Sequence, residues 1–154
     1  MERPIGERSN GAHPSITLRR RCMASAAVLS AMSVGAQSTG AGETRIQPDG
    51  RTDTTVATDG NVSDVTTDTT AGSNAFNSFK HFRVAKGHEA NLHLPKGTQR
   101  LINLVHDSQA VVNGTVNSLI DNAVGGDVIF ADPHGIVVGQ SGTLNVGSLG
   151  LATP

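Results

Sequence analysis

The chain has 154 residues, a formal charge of −1, 18 glycines, one cysteine and four phenylalanines, with neither Trp nor Tyr. This length holds one domain, and so few rings leave its core to Val, Leu, Ile and Ala, unlike a compact sandwich or enzyme built on aromatic mass. Residues 1–36 carry five Arg and two Glu, whereas residues 37–154 carry seven Lys or Arg against eleven Asp or Glu, so the acidic body lacks the basic face that a nucleic acid requires.

Residues 1–36 read as a signal peptide with an extended n-region. Arg19-Arg20-Arg21 forms a basic flank, residues 23–36 are an uncharged apolar run, and Val34-Gly35-Ala36 offers small residues for cleavage before Gln37. The run is shorter than the roughly 20 residues that span a bilayer. A buried core helix is the alternative, but no amphipathic partner helix follows. The long polar start is either part of the signal or the product of a misassigned start codon. Arg20-Arg21 is followed by Cys22-Met23, a poor twin-arginine signal, and Cys22 precedes the apolar run, so it is no lipoprotein anchor. Cleavage would remove this only cysteine. That suits a chain crossing a second membrane unfolded, although chance absence of cysteine is equally simple.

Residues 37–73 are rich in Thr and Asp, with Asp49-Gly50 and Asp59-Gly60 as turn signals. Thr and Val favour short edge strands or a capping sheet here; disorder is the alternative. In residues 74–84, Phe76, Phe79 and Phe82 recur every third position. That spacing fits one helical face, but the intervening Asn and Ser are poor helix formers, and a bent strand with one or two rings on the core is expected. Residues 90–94 alternate, Leu92 and Leu94 on one face and Asn91 and His93 on the other, before a turn at Pro95-Lys96-Gly97. Strands follow at residues 101–105, 111–112 and 116–120, with turns at Asn113-Gly114 and Gly125-Gly126.

Residues 128–149 are the most informative stretch. Apolar runs at 128–131 and 136–138 flank Asp132-Pro133-His134-Gly135. Asp first, Pro second and Gly fourth suit a type I turn, because Asp bonds the backbone two residues on and Pro presets its own φ. Many short strands without helices point to an all-β right-handed parallel β-helix with an amino-terminal β cap, preceded by a signal-peptide helix; a β-sandwich is the structural rival.

Chemistry is sparse. His88-Glu89-Ala90-Asn91-Leu92-His93 places its second His one residue beyond the zinc-protease spacing, and on a strand the two imidazoles face opposite ways, so no metal site is expected. His106-Asp107-Ser108 has triad residue types, but a triad is assembled from separate segments. No phosphate loop or dinucleotide fingerprint is present, and no cofactor is expected. A polysaccharide-acting β-helix enzyme would need carboxylates clustered on one strand face with basic residues beside them, and none is evident.

Residues 74–84, 101–114 and 126–149 resemble the amino-terminal two-partner secretion domain of filamentous haemagglutinin-like exoproteins. The resemblance runs from about Gly42 to the last residue. Asp132-Pro133-His134-Gly135-Ile136 stands where that family usually has Asn-Pro-Asn-Gly-Ile; the family's second tetrapeptide, Asn-Pro-Asn-Leu, has no match. Asn74, Phe76, Phe79, Phe82, Asn113 and Gly114 belong to the matching stretches. The resemblance implies a secretion-signal module at residues 37–154, truncated at its carboxyl end, and not an enzyme. It implies export by the general secretory machinery and recognition by an outer-membrane two-partner secretion transporter of a Gram-negative cell. It also implies a secreted or cell-surface virulence protein, an adhesin, haemolysin or contact-dependent toxin, that meets a host cell surface. A self-contained surface adhesin, binding through the Thr/Asp-rich face of residues 49–70, is the alternative.

Overall fold

The computed structural model describes residues 42–154. The expected signal peptide and its cleavage site lie outside them. Four strands open the described chain: β1 (Arg45–Pro48), β2 (Thr54–Asp59), β3 (Val62–Thr67) and β4 (Thr70–Ala71). Then come β5 (Asn74–Val84), β6 (Glu89–His93), β7 (Arg100–Val105), β8 (Ala110–Val112) and β9 (Thr115–Ile120). The last are β10 (Ala123–Val124), β11 (Asp127–Ala131), β12 (Ile136–Val138), β13 (Thr143–Asn145) and β14 (Ser148–Ala152). No helix occurs among the described residues.

The strands coil about three times into a parallel β-helix. The first half of β5 stacks in parallel on β7, β7 on β11 and β11 on β14. The end of β5 stacks on β8, and β8 on β12. The third face stacks β3, β6, β9 and β13. Registers are regular: Asn74 pairs Arg100, 26 residues on, and Arg100 pairs Asp127, 27 residues on. A sandwich is excluded because these pairings are parallel and each coil meets only its neighbours. The antiparallel pairs lie at the margins. β1 and β4 pair with β5, β2 forms a hairpin with β3, and β10 folds back on β9. Residues 42–73 thus form the expected cap.

β5 is the hinge between two faces. Its register against β1 slips between Pro48↔Phe79 and Gln47↔His81, leaving Lys80 as an extra residue. Such a bulge bends the strand and breaks the inward–outward alternation. Phe79 and Phe82 therefore both point inward and are fully buried, while Phe76 is only half-buried. The Phe82 ring lies 5.3 Å from Phe79 and 5.0 Å from Phe130, tilted against both, a favourable arrangement for ring quadrupoles. Around these rings the core is built of stacked aliphatic columns, such as Ala75–Leu101–Val128 and Ala90–Val116–Leu144.

One column is polar. Asn77 and Asn103 are completely buried register partners. Asn77 Nδ2 donates to Asn103 Oδ1 at 2.9 Å, Thr54 Oγ1 donates to Asn77 Oδ1 at 2.9 Å, and Asn103 Nδ2 donates to the Ile129 carbonyl at 3.4 Å. The chain of donors ties the cap hairpin to successive coils and leaves the buried amides satisfied.

Two turns differ from the sequence expectation. Asn113-Gly114 does not reverse the chain; it is a corner between faces, where the Asn113 and Gly114 amides both donate to the Val84 carbonyl. A Cβ on Gly114 would run into the carbonyl oxygens of Ala85 and His88, so close approach of coils, rather than a left-handed φ, requires glycine there. The β9–β10 hairpin was not foreseen. Its loop residues Asp121 and Asn122 take φ of 49° and 65°, the conformation of a type I′ turn, which Asp and Asn tolerate better than most residues.

The ring cluster yields a stability contrast. Phe82→Ala, which leaves a void against two other rings, is expected to cost about 3–5 kcal/mol in urea unfolding. Phe76→Ala is expected to cost clearly less, and equal losses would contradict the bulge-directed packing.

Candidate functional site

The turn at Asp132, Pro133, His134 and Gly135 joins β11 to β12 on the corner between two faces. The Gly135 amide donates to the Asp132 carbonyl at 3.1 Å, closing the turn, and the His134 amide donates to Asp132 Oδ1 at 2.7 Å. Gly135 takes φ of 92°, a conformation that a side chain would strain. These are the bonds the residue pattern called for.

The packing of Asp132 goes further. Its carboxylate is fully buried, and Oδ2 accepts the Ala110 amide of the preceding coil at 2.6 Å. The Asp132 amide in turn donates to the Ala152 carbonyl of the following rung at 3.0 Å. One residue therefore links three successive levels, with both carboxylate oxygens taken by backbone donors in charge-assisted bonds. His134 Nδ1 stands 3.4 Å from Oδ1, and Gln109 Nε2 donates to the His134 carbonyl at 3.4 Å. Pro133 and His134 are exposed at the tip, and Ile136, half-buried, pairs with Ala110. The turn thus has a fixed base and a presented tip.

A second polar cluster anchors the cap. Asp49 Oδ2 accepts the Ser78 hydroxyl at 2.6 Å, His106 Nε2 lies 3.2 Å from Ser78 Oγ, and Arg51 Nη1 lies 3.1 Å from His106 Nε2. These are serine, histidine and aspartate from three segments, yet they form no nucleophilic triad. Ser78 is buried and gives its proton to Asp49, whereas a triad needs the base to take that proton. Burial raises the Asp49 pKa, but the Ser78 hydroxyl, the Arg51 amide and the charges of Arg51 and His106 outweigh it and hold the carboxyl below its ordinary value.

A third network runs along the outside of the third face. Asp64, Asn91, Asn117 and Asn145 are successive register partners. Asn91 donates to Asp64 at 3.2 Å, Asn117 to Asn91 at 2.9 Å and Asn145 to Asn117 at 2.8 Å. His93 contacts Asp64 Oδ1 at 2.8 Å, and Glu89 Oε1 accepts from Asn117 at 2.7 Å. The His93 hydrogen bond, opposed by burial and aided by Asn91, lowers the Asp64 pKa. The face does bring one carboxylate, Asp64, beside His93, which the sequence did not reveal. Their hydrogen bonds belong to the ladder.

The remaining residues singled out from sequence are scattered. Asn74 begins β5, and its Oδ1 is buried without a hydrogen-bond partner among the described residues. Phe79 and Phe82 are core, Phe76 is peripheral, and Asn113 and Gly114 make the corner described above. His88 and His93 do not converge, and no group of three or more His, Cys, Asp or Glu among the described residues is placed to hold a metal ion. His106 and Ser108 diverge, the first to Asp49 and Ser78, the second to His81 Nδ1 at 2.7 Å. Sequence reading missed Asp49, Ser78 and the asparagine ladder. The recurrence of Asn at 91, 117 and 145, close to one coil length, is the signal that could have found the ladder.

The chain is a capped parallel β-helix whose polar side chains bond successive coils to one another. Over residues 44–154 the chain matches the TPS secretion domain family, and it belongs to that family. It is therefore the secretion module of a two-partner secretion exoprotein, a family defined by export and not by catalysis. No curated protein and no solved structure matches the chain.

Two outcomes follow from these networks. Asp132→Asn would restore the family's usual residue, yet its amide would meet a backbone N–H where an oxygen now accepts. It is expected to destabilise the protein by about 1–3 kcal/mol in chemical unfolding, and a neutral or stabilising effect would refute the two-oxygen clamp. Asp49, with its folded pKa lowered, favours the folded state above its unfolded value near 4; that contribution fades as pH falls through the folded value. Thermal midpoints of wild type should therefore drop on acidification more steeply than those of Asp49→Asn.

Proposed function

We propose that residues 37–154 are the signal by which an outer-membrane two-partner secretion transporter recognises its exoprotein, and that the tip of the turn at Pro133 and His134 is part of what it reads. The supporting observation is the contrast within one turn. Asp132 is wholly buried and fixed to coils on either side, while Pro133 and His134, its immediate neighbours, are exposed. A short rigid feature that presents polar and apolar groups at low ordering cost is suited to recognition. Gly135 and Ile136 complete the motif by setting the exit of the turn.

In this reading the chain enters the periplasm by the general secretory machinery and leaves through the transporter's barrel. The parent protein is an adhesin, haemolysin or contact-dependent toxin acting at the cell surface or after release, and its host contacts lie with that activity. The module itself performs no catalysis.

The test separates recognition from folding. In a Gram-negative host carrying the cognate transporter, Pro133→Ala combined with His134→Ala should cut release into the medium about tenfold, the loss from about 1.4 kcal/mol of binding. The periplasmic pool and the melting temperature of the purified protein should be preserved. Undiminished release by this folded variant would rule out the tip as a determinant.

A further inference from the structure

We propose that the cleft between the start of β1 and the corner leading to β8 binds a phosphate group. The cavity measures about 520 Å³ and is lined by Glu43, Thr44, Arg45, His81, Arg83 and Ser108. Its volume falls within the roughly 300–1,000 Å³ range of small-ligand sites, and none of its lining residues belongs to the Asp132 turn.

The distinguishing feature is a pair of like charges. Arg45 and Arg83 are direct Cα partners across the antiparallel β1–β5 pair, an arrangement that destabilises a sheet unless something neutralises it. Among the described residues neither guanidinium lies within ion-pair distance of a carboxylate. Arg45 Nη2 donates to the neutral Gln47 Oε1 at 2.9 Å. Arg83 lies against Gly42, where any Cβ would collide with its Nη1. The absent side chain leaves room for the guanidinium at the wall of the cleft.

The donor set favours phosphate over carboxylate. Each guanidinium offers a fork of N–H groups suited to oxyanions. Thr44 Oγ1 accepts the Ala85 amide at 2.9 Å, which leaves its hydroxyl proton to donate. His81 Nδ1 and Ser108 Oγ share one hydrogen bond at 2.7 Å; whichever donates, the pair keeps a further N–H or O–H. That supply exceeds the roughly four lone-pair positions of a carboxylate, whereas a phosphate ester presents three charged or partly charged oxygens. Among the described residues Glu43 is the one anion of the lining, and its charge opposes an anionic ligand. The phosphate is supplied either by a soluble phosphomonoester or by a phospholipid headgroup.

Titration calorimetry of the full chain with inorganic phosphate and glycerol 3-phosphate tests the first source. Co-sedimentation with phosphatidylcholine vesicles, with and without phosphatidic acid, tests the second. Saturable binding in either arm, weakened by added salt, is expected. Arg45→Gln and Arg83→Gln should each reduce affinity about tenfold, and Glu43→Gln should raise it. Arg83→Lys, which keeps the charge but not the fork, should fall between wild type and Arg83→Gln, and covers the case in which the glutamine variant fails to fold. Binding in neither arm would overturn the proposal. So would acetate competing as well as phosphate, or unchanged affinity in folded Arg45→Gln and Arg83→Gln proteins.

Discussion

A coil of a parallel β-helix satisfies almost none of its backbone polar groups by itself. Its strands find hydrogen-bond partners only in the coil above and the coil below, about 4.8 Å away. Everything else in this protein serves that dependence. The apolar columns give neighbouring coils a common interior and forbid a one-residue slip, which would turn inward side chains outward, but Val over Val or Leu over Ala resists a two-residue slip only weakly. Polar ladders are less forgiving. Asn77 over Asn103 inside, and Asp64 over Asn91, Asn117 and Asn145 outside, bond only when the register is correct. A slipped register would bury amides without partners, at a cost comparable to the net worth of several hydrogen bonds.

Stacking also leaves a first coil with an unpaired upper edge, a surface prone to pairing with another chain. The cap answers this. β1 and β4 run antiparallel along β5, and the β2–β3 hairpin covers the third face. The Asp49–Ser78–His106 cluster fixes that cap to the first two coils from one side, and Thr54 reaching Asn77 fixes it from within. At the other end β12, β13 and β14 each have one parallel partner among the described residues, and Val137, Val138, Leu149 and Leu151 are exposed there.

The Asp132 turn is where the stacking constraint and the presentation of a surface meet. A buried carboxylate would ordinarily be unfavourable, but here each oxygen receives a backbone N–H, one from Ala110 and one from His134. Holding the base of the turn in this way fixes the direction of Pro133 and His134. The substitution of Asp for the family's usual Asn is thus more than a neutral exchange of turn residues, since it supplies a second acceptor used by Ala110.

Local chemistry determined much of this protein before any fold was known. β-branched runs between turn residues made strands at 128–131 and 136–138, and Asp, Pro and Gly at their positions closed the turn between them. Strand alternation likewise placed Leu92 and Leu94 inside and Asn91 and His93 outside. These features depend on interactions spanning only a few residues, so the sequence carries them directly. Which two of three evenly spaced phenylalanines enter the core was decided by the Lys80 bulge, itself a product of pairing with β1. Asp49, Ser78 and His106 meet, and Arg45 faces Arg83, only because coil length and cap register bring distant segments together. Such contacts follow from how the coils stack, a long-range outcome that no single stretch of residues encodes.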